Sequence, residues 1–423
     1  MMDGPLFVYR ELSGAMQRVG AVESSAEGPS FKYDASYLAS GAPSAISAQL
    51  PLQTVPFTSA KTIAFFDGLL PEESRRSALA AAVHADAKDT LSLLARLNLE
   101  SVGGLVFLDD ESFLQTKGEY LPIDFRHLEE FARAPQAKSL SLNMAARLSL
   151  AGAQAKIGLR HQGSSFYEGW GLTMGLAPSS HIVKAAAGPY EHQTVNETLC
   201  LAVARLLGYP VPTCNLIQID GAEPLLCVER FDRVEDHMGV VHRRHQEDFC
   251  QATGINSAFK YEPTDGNYLN RMACVVGKES DDSFGDRALL LDSLLLDWAL
   301  GNCDNHLKNR SLVWESDWSG KRLASLYDLT CTTFYPQTDR EMGVSLNRSR
   351  RIDEVTIADI ERSAKVVGVP RSVALGMLSN LEASFLDAVE EAEEAILADG
   401  YSQVEIIAEH IRKEWKAKLQ RLR

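Results

Sequence analysis

Residues 297–309 read Asp-Trp-Ala-Leu-Gly-Asn-Cys-Asp-Asn-His-Leu-Lys-Asn, and the rest of the chain is best read outward from them. An apolar segment, Arg287 to Leu300, runs into a short polar turn holding Asp304, His306, Lys308 and Asn309. Four residues separate Asp304 from Asn309, the spacing at which a phosphotransferase loop carries its base and its metal-binding amide. One more carboxylate, Asp328, follows a short apolar approach in Leu326-Tyr-Asp-Leu. Phosphoryl transfer asks a protein for positioning and charge neutralisation more than for covalent chemistry. Asp304 is placed to accept a hydroxyl proton. Asn309 and Asp328 offer hard oxygens to Mg2+, which takes few protein ligands beside phosphates and water. His306 and Lys308, between them, are suited to touching phosphate. The competing reading is a capped helix end in which Asp304 and Asn309 only satisfy backbone groups. Zinc is a poor fit, because Cys303 is the other soft ligand near His306 and no second pair follows.

The whole chain sets the bounds. With 423 residues, 45% of them apolar and 23% charged, it has ordinary globular composition and the length for two or three domains. A net charge of -15 and a pI near 5.2 argue against a surface that coats nucleic acid nonspecifically, while leaving room for a local basic patch. Seven cysteines lie between Cys200 and Cys331 without a Cys-x-x-Cys pair, which reads as buried thiols in a reducing compartment. The N-terminus lacks the basic stretch and apolar core of a signal peptide. The best apolar run, Ala288 to Leu300, is interrupted by Asp292 and Asp297. The expectation is a cytoplasmic protein with no membrane partner.

Along the chain, short alternating stretches at Leu6–Tyr9, Arg18–Val22 and Phe31–Tyr33 predict a small antiparallel β-unit. Ala60 to Leu97 has helical spacing, with a fresh start at Pro71-Glu-Glu-Ser. This N-terminal subdomain is expected to span 1–110, with a polar, helix-bearing connector reaching about Ala137. Ser139 to Asp232 reads mostly as strands. Ser149 to Arg160 is read as strand, turn and strand, Ser180 to Lys184, Asn215 to Asp220 and Leu225 to Phe231 as strands, and Val195 to Leu207 as a helix closing at Gly208. Beyond Arg233 the balance is helical, and Arg412 to Arg423 reads as a basic solvated helix face. The fold class is therefore α+β: a two-lobed, protein-kinase-like fold with a small β-rich N-terminal subdomain (1–110), a β-rich lobe (111–233) and a largely helical C-terminal lobe (234–423).

Other segments offer parts for the same chemistry. Ala151, Gly152, Ala153, Gln154, Ala155 and Lys156 form a small-residue stretch whose backbone N–H groups can approach phosphate oxygens, or else an ordinary turn. Lys184 closes an apolar strand, either as a point charge for phosphates or as a solvated strand end. Glu197 opens the next helix and is a candidate partner for Lys184, or simply sits near the helix dipole. Glu229, Arg230 and Phe231 fall where two lobes would connect; a backbone there can bond an adenine edge, or the charges can pair among themselves. Arg348, Arg350 and Arg351 cluster in an acidic protein, as a DNA-phosphate patch or as solvated surface.

Taken in order, these segments resemble the HipA family of bacterial serine/threonine kinases, the toxins of HipBA-type toxin–antitoxin systems. The resemblance rests on Phe65-Phe-Asp-Gly-Leu-Leu-Pro-Glu, Ser149-Leu-Ala-Gly-Ala-Gln-Ala-Lys, Ser180-His-Ile-Val-Lys, Asn196-Glu, Val228-Glu-Arg-Phe-Asp-Arg, Gln246-Glu-Asp-Phe-Cys-Gln, Asn302-Cys-Asp-Asn-His-Leu-Lys-Asn and Leu326-Tyr-Asp-Leu. It implies ATP and Mg2+ as cofactors, Asp304 as catalytic base, and Asn309 and Asp328 as metal ligands. Ala151 to Lys156 and Lys184 would bind the nucleotide phosphates and Glu229 to Phe231 would be the hinge. His306, Leu307, Lys308, Asn309 and Tyr327 would complete the ATP site. Ser149 matches an autophosphorylated serine, whose phosphate would bring about two negative charges beside the nucleotide loop and switch the kinase off. The implied partners are an aminoacyl-tRNA synthetase substrate, of which the glutamyl enzyme is the type, a helix-turn-helix HipB-like antitoxin, and operator DNA bound with that antitoxin. Asn305 departs from some relatives, and the last sixty or so residues carry no matching motif. Two other functions fit parts of the pattern: a small-molecule kinase of the aminoglycoside phosphotransferase kind, and a non-catalytic DNA-binding co-repressor.

Overall fold

The computed structural model describes residues 4–97, 100–150, 152, 154–186, 188–347 and 349–422, without the side chains of Glu73 and Ser74. The chain divides into two compact units, each assembled from three separated segments. The first is Met1–Ala187, Ile217–Ser257 and Val313–Lys321; the second is Gly188–Leu216, Ala258–Leu312 and Arg322–Arg423. These boundaries do not coincide with divisions at 110 and 233, because segments distant in sequence pack into each unit.

In the first unit, alternation of apolar and polar residues yields β1 (Leu6–Leu12), β2 (Ala15–Ser25) and β3 (Gly28–Tyr33). Ser13 and Gly14 both take positive φ, the primed turn that matches strand twist in a two-residue hairpin. A fourth strand, β4 (Leu105–Leu108), pairs with the far side of β1, giving the order β3-β2-β1-β4. The helix Ser59–Phe66 lays Phe66 against Phe31 and Phe107, at centroid distances of 5.7 Å in both cases. Each such fully buried ring contributes about 1.5–3 kcal/mol. The helical stretch expected from Ala60 to Leu97 is broken into Ser59–Phe66, Glu73–Ala82 and Thr90–Leu97.

A second antiparallel sheet of this unit contains β5 (Glu119–Pro122), β6 (Lys156–His161), β7 (Trp170–Met174), β8 (His181–Lys184) and the strand Leu225–Glu229, ordered β5-β7-β6-β8-Leu225–Glu229. Leu128 and Phe131 of the helix Arg126–Arg133 join Ile157, Leu159, Val183 and Leu225 in one buried cluster. Three expectations are corrected here. Residues 139–145 belong to the helix Pro135–Ala145, which its N-terminal proline favours. Residues 149, 150, 152 and 154 are not strand; pairing begins at Lys156. The expected connector contributes β5 to a sheet edge.

The segment after Glu229 is pinned by a buried ion cluster. Glu100, wholly buried, accepts from Arg230 (3.2 Å), Arg233 (2.9 Å) and Arg243 (2.9 Å), and from the Ser179 N–H and hydroxyl. Asp232 binds Arg230 at 2.7 Å and Arg233 at 3.1 Å, and Glu11 binds Arg243 at 3.3 Å. Three carboxylates thus face three guanidiniums. Burial alone would raise the Glu100 carboxyl, but Arg233, Arg243 and Arg230 hold it down at about 2.

The second unit is mainly helical. The helix Ser283–Leu300 starts on Asp282, whose carboxylate accepts from the Gly285 N–H, and ends where Gly301 takes φ +81°. A Cβ at Gly301 would lie 2.4 Å from Thr333 Oγ1, so glycine is required both by conformation and by space. The C-terminal helix Val404–Leu422 is not just a solvated basic face. Its Trp415 is buried edge-on to Trp298 at 5.3 Å, and the buried Lys418 Nζ donates to the Trp298 carbonyl at 2.6 Å. A cation there complements the negative helix end that precedes the polar turn. Of the seven cysteines, all free, five are buried, Cys214 is half-buried and Cys274 is exposed, against the expectation of buried thiols throughout. Among the described residues no helix is long and apolar enough to cross a membrane.

Candidate active site

Within the run 301–310 every residue is buried except Asp304. The backbone around it is held from several directions. Asn302 donates its N–H to the Asp297 carbonyl and its side-chain amide to the Asp297 carboxylate, both at 2.8 Å. Arg310 binds the other oxygen of Asp297 at 2.6 Å and donates to the Asn309 carbonyl at 2.8 Å, so one buried pair spans both ends of the turn. Burial pushes the Asp297 carboxyl up, and Arg310 opposes that. The Cys303 N–H donates to Thr332 Oγ1 at 2.7 Å, and Asn305 exchanges two side-chain bonds with the Val344 backbone. Asn305 is thus a fastening of the turn to the strand Glu341–Leu346. Fixing a turn this thoroughly while exposing one carboxylate is the preorganisation a general base needs.

Asn309 and His306 lie beside Asp304. The Asn309 amide donates to the Asp304 carbonyl at 2.6 Å, so that its side-chain oxygen is the atom with acceptor capacity for a cation. His306 Nε2 is 3.8 Å from Asp304 Oδ1. Burial first, then Lys260 and Lys308, keep the His306 imidazole well below its ordinary pKa, with Asp328 close enough to oppose them. His306 is therefore neutral near pH 7. The Tyr327 hydroxyl donates to the Lys308 carbonyl at 2.8 Å and shares a 2.5 Å bond with Ser311, which fixes the approach to Asp328. Asp328 takes φ +51°, a backbone state uncommon for a residue with a Cβ and concentrated at functional sites. No group of three or more His, Cys, Asp or Glu side chains among the described residues is arranged to hold a metal. Two oxygen donors, Asn309 and Asp328, suit a Mg2+ that takes its remaining ligands from phosphate and water.

The first unit holds the candidate phosphate-binding residues. Lys156 on β6 and Lys184 on β8 are directly opposite each other in the antiparallel register, and both are buried. Ala155 is buried behind Lys156, while Gln154 donates to the Ala185 carbonyl at 3.2 Å. A Cβ on Gly152, which has φ +96°, would lie 3.0 Å from the Lys156 ammonium. Ala151 and Ala153 lie outside the described residues. Arg75 donates to the Gly152 carbonyl at 3.2 Å and the Gln154 carbonyl at 2.5 Å, and burial lowers its pKa to about 10. Ser149 is fully buried, its hydroxyl donating to the Leu69 carbonyl and its N–H to the Glu100 carbonyl, both at 2.9 Å.

Residues 148–392 match the family model for the HipA-like C-terminal domain, and residues 13–108 match that for the HipA N-terminal domain. The chain belongs to the HipA family. It is 30% identical over 375 residues to the protein Y4mE of Sinorhizobium fredii, covering 87% of each chain. To the serine/threonine-protein kinase toxin HipA of Shewanella oneidensis it is 26% identical over 347 residues, 79% of this chain and 78% of that one. A solved Shewanella oneidensis complex of HipA, HipB and operator DNA contains a chain similar in fold, with a TM-score of 0.81 at 22% identity, covering 98% of this chain and 97% of that one. The fold is the α+β, kinase-like HipA fold.

Other residues named from the sequence of this HipA-family chain have more local roles. Glu229 is exposed and Phe231 half-buried, but Arg230 is committed to Glu100 and Asp232, and the three lie inside the first unit. Glu197 is buried in the second turn of Gln193–Leu206 rather than at its start. Arg350 pairs with Glu341 at 2.5 Å and Arg351 lies near Asp353 and Glu354, so both have acidic neighbours; Arg348 lies outside the described residues. Sequence reading passed over Arg75, Asp297 as the partner of Arg310, and Tyr261, whose hydroxyl donates to Asp304. No local motif marks them, since each works through a residue distant in sequence.

Proposed function

We propose that this HipA-family protein is an ATP- and Mg2+-dependent serine/threonine kinase acting as the toxin of a toxin–antitoxin pair. The observation that carries this reading is the exposed Asp304 carboxylate on a buried, hydrogen-bonded turn, with Asn309 bound to its carbonyl and His306 Nε2 3.8 Å from its carboxylate. In this reading Asp304 takes the proton of the acceptor hydroxyl. Lys156, Lys184 and the 151–156 stretch neutralise nucleotide phosphates, and His306, Leu307, Lys308 and Tyr327 shape the site. Asn309 and Asp328 would hold Mg2+, which neutralises charge on the phosphates when bound. The named relative in Shewanella oneidensis is a serine/threonine kinase toxin, and the solved complex contains HipB and operator DNA. By that analogy the partners here are a HipB-like antitoxin and operator DNA bound with it; the resemblance read from the sequence adds a helix-turn-helix form for the antitoxin and a protein substrate of the aminoacyl-tRNA synthetase kind. Ser149 is the proposed self-phosphorylation site. A phosphate on a hydroxyl this buried requires the loop to leave its place beside Leu69.

The test is Asp304→Asn. With a general base worth about 10²–10⁴ in rate, the variant should lose phosphate transfer from Mg-ATP by at least that factor while melting at the wild-type temperature. An Asp304→Asn protein that phosphorylates itself or a target as fast as wild type refutes the assignment.

A further inference from the structure

The segment Phe259–Glu262 runs beside the catalytic turn and is tied down on either side of Tyr261. The Lys260 carbonyl accepts from the Leu307 N–H at 3.2 Å. Glu262 is buried, donates its N–H to the Gly343 carbonyl at 2.8 Å, and accepts from the N–H groups of Tyr268 (2.7 Å) and Ser345 (2.8 Å). Between these anchors the Tyr261 ring meets the His306 ring edge-on at 5.0 Å, with the Lys260 ammonium 5.4 Å from the Tyr261 centroid. The Tyr261 hydroxyl donates to Asp304 Oδ1 at 2.5 Å. Tyr261 is about half exposed and so is the Asp304 side chain, so a protein substrate can reach both.

We propose that Tyr261 is a positioning residue for phosphate transfer, holding the Asp304 carboxylate through Oδ1 in the orientation that meets the acceptor hydroxyl. This rests on Asp304 being the base. An exposed aspartate side chain samples several rotamers, and only some present an oxygen to the acceptor. The phenol narrows that freedom by its bond to Oδ1. During transfer the acceptor proton passes to the Asp304 carboxylate and the acceptor oxygen bonds to the γ-phosphorus. The bond from that phosphorus to the β–γ bridging oxygen breaks, and ADP departs with its electron pair. Tyr261 donates its hydrogen bond throughout and exchanges no proton.

The experiment is Tyr261→Phe in the full chain, which keeps the ring against His306 and deletes only the hydroxyl. Transfer to Ser149 from Mg-ATP is followed by mass spectrometry, nucleotide affinity by calorimetry, and integrity by melting temperature. The expected result is a fall of about tenfold in the transfer rate constant, as for loss of one hydrogen bond to a charged group, with affinity and melting unchanged. In an Asp304→Asn background the same substitution should change the residual rate by less than twofold, because the hydroxyl acts only through the carboxylate. A Tyr261→Phe protein as fast as wild type, or a tenfold loss that persists without the carboxylate, overturns the proposal. A fully active Asp304→Asn protein sinks the base assignment instead, which keeps the two failures distinct.

Discussion

Replacing Glu100 with glutamine tests the account of the first unit most directly. The substitution keeps shape and removes one negative charge from a cluster of three carboxylates and three guanidiniums, leaving an uncompensated buried positive charge. A carboxyl held at about 2 instead of its usual 4.5 reflects roughly 3 kcal/mol of preference for the charged form, at about 1.4 kcal/mol per pKa unit. That agrees with the loss of about 3–5 kcal/mol typical when one partner of a buried ion pair is removed. At about 2–4 °C per kcal/mol for a body of this size, the transition of the first unit should fall by roughly 6–12 °C. Urea unfolding at pH 7 and a thermal scan both measure it. Removing a guanidinium as well, with Arg243→Met, restores the charge balance. The double variant should therefore be more stable than the sum of the singles by at least about 1 kcal/mol. Because Glu100 is depressed, its contribution is present above pH 4.5 and is lost as pH falls towards 2. If Glu100→Gln costs under about 1 kcal/mol, or the two changes simply add, charge balance does not hold this cluster together.

Three further expectations follow from individual contacts. His245 is locked neutral: Nε2 donates to the Ile46 carbonyl at 2.8 Å, Nδ1 accepts from the Gly104 N–H at 3.3 Å, and burial lowers its pKa to about 3. The unfolded chain protonates it near 6.5, so stability present above that pH is lost between 6.5 and 3, at up to about 1.4 kcal/mol per pH unit. Urea titrations at pH 7, 6 and 5 should show this slope and His245→Gln should flatten it; an unchanged slope rules it out. Gly301→Ala forces a Cβ against Thr333 at φ +81° and should cost at least about 1–2 kcal/mol in melting experiments, with a larger proportional loss of activity as the turn shifts. Arg75→Gln removes the donor to two loop carbonyls, so hydrogen exchange over 149–156 should speed up and Mg-ATP affinity should fall about tenfold; unchanged exchange there would show that the loop holds its own shape.

The parts of this molecule that were readable from the sequence are those in which spacing along the chain is itself the geometry. Three strands of the N-terminal sheet follow from alternation, the helix Ser283–Leu300 from its apolar run, and the pairing of Asp304 with Asn309 from a turn too short to place them far apart. The misreadings have the opposite origin. The run from Ser149 looks strand-like because its residues are small and apolar, yet Ser149 and Gly152 are held by Leu69, Glu100 and Arg75, each 49 or more residues away. For Glu229 to Phe231 the spacing left a hinge backbone and mutual charge pairing both open; Arg230 does pair with Asp232, but its other partner, Glu100, is 130 positions distant and no local pattern points to it. The C-terminal helix looked solvated because Trp415 and Lys418 have their partners on Trp298.

This separates two kinds of information in the candidate site. The identity of the reacting groups is local, and a short run of residues carries it. Their orientation is not: the turn is held by Arg310 on Asp297, by Val344 on Asn305, by Thr332 on Cys303 and by Tyr261 on Asp304. None of these holding residues needs a particular neighbour in sequence, only a particular place in the fold, so no spacing rule exposes them. Transfer depends on both kinds, because a correctly chosen carboxylate that wanders by an ångström can lose about a hundredfold in rate. Substitutions at the holding residues should therefore spare nucleotide affinity and lower the transfer rate, whereas Lys156 and Lys184, which face each other across two strands, should do the reverse.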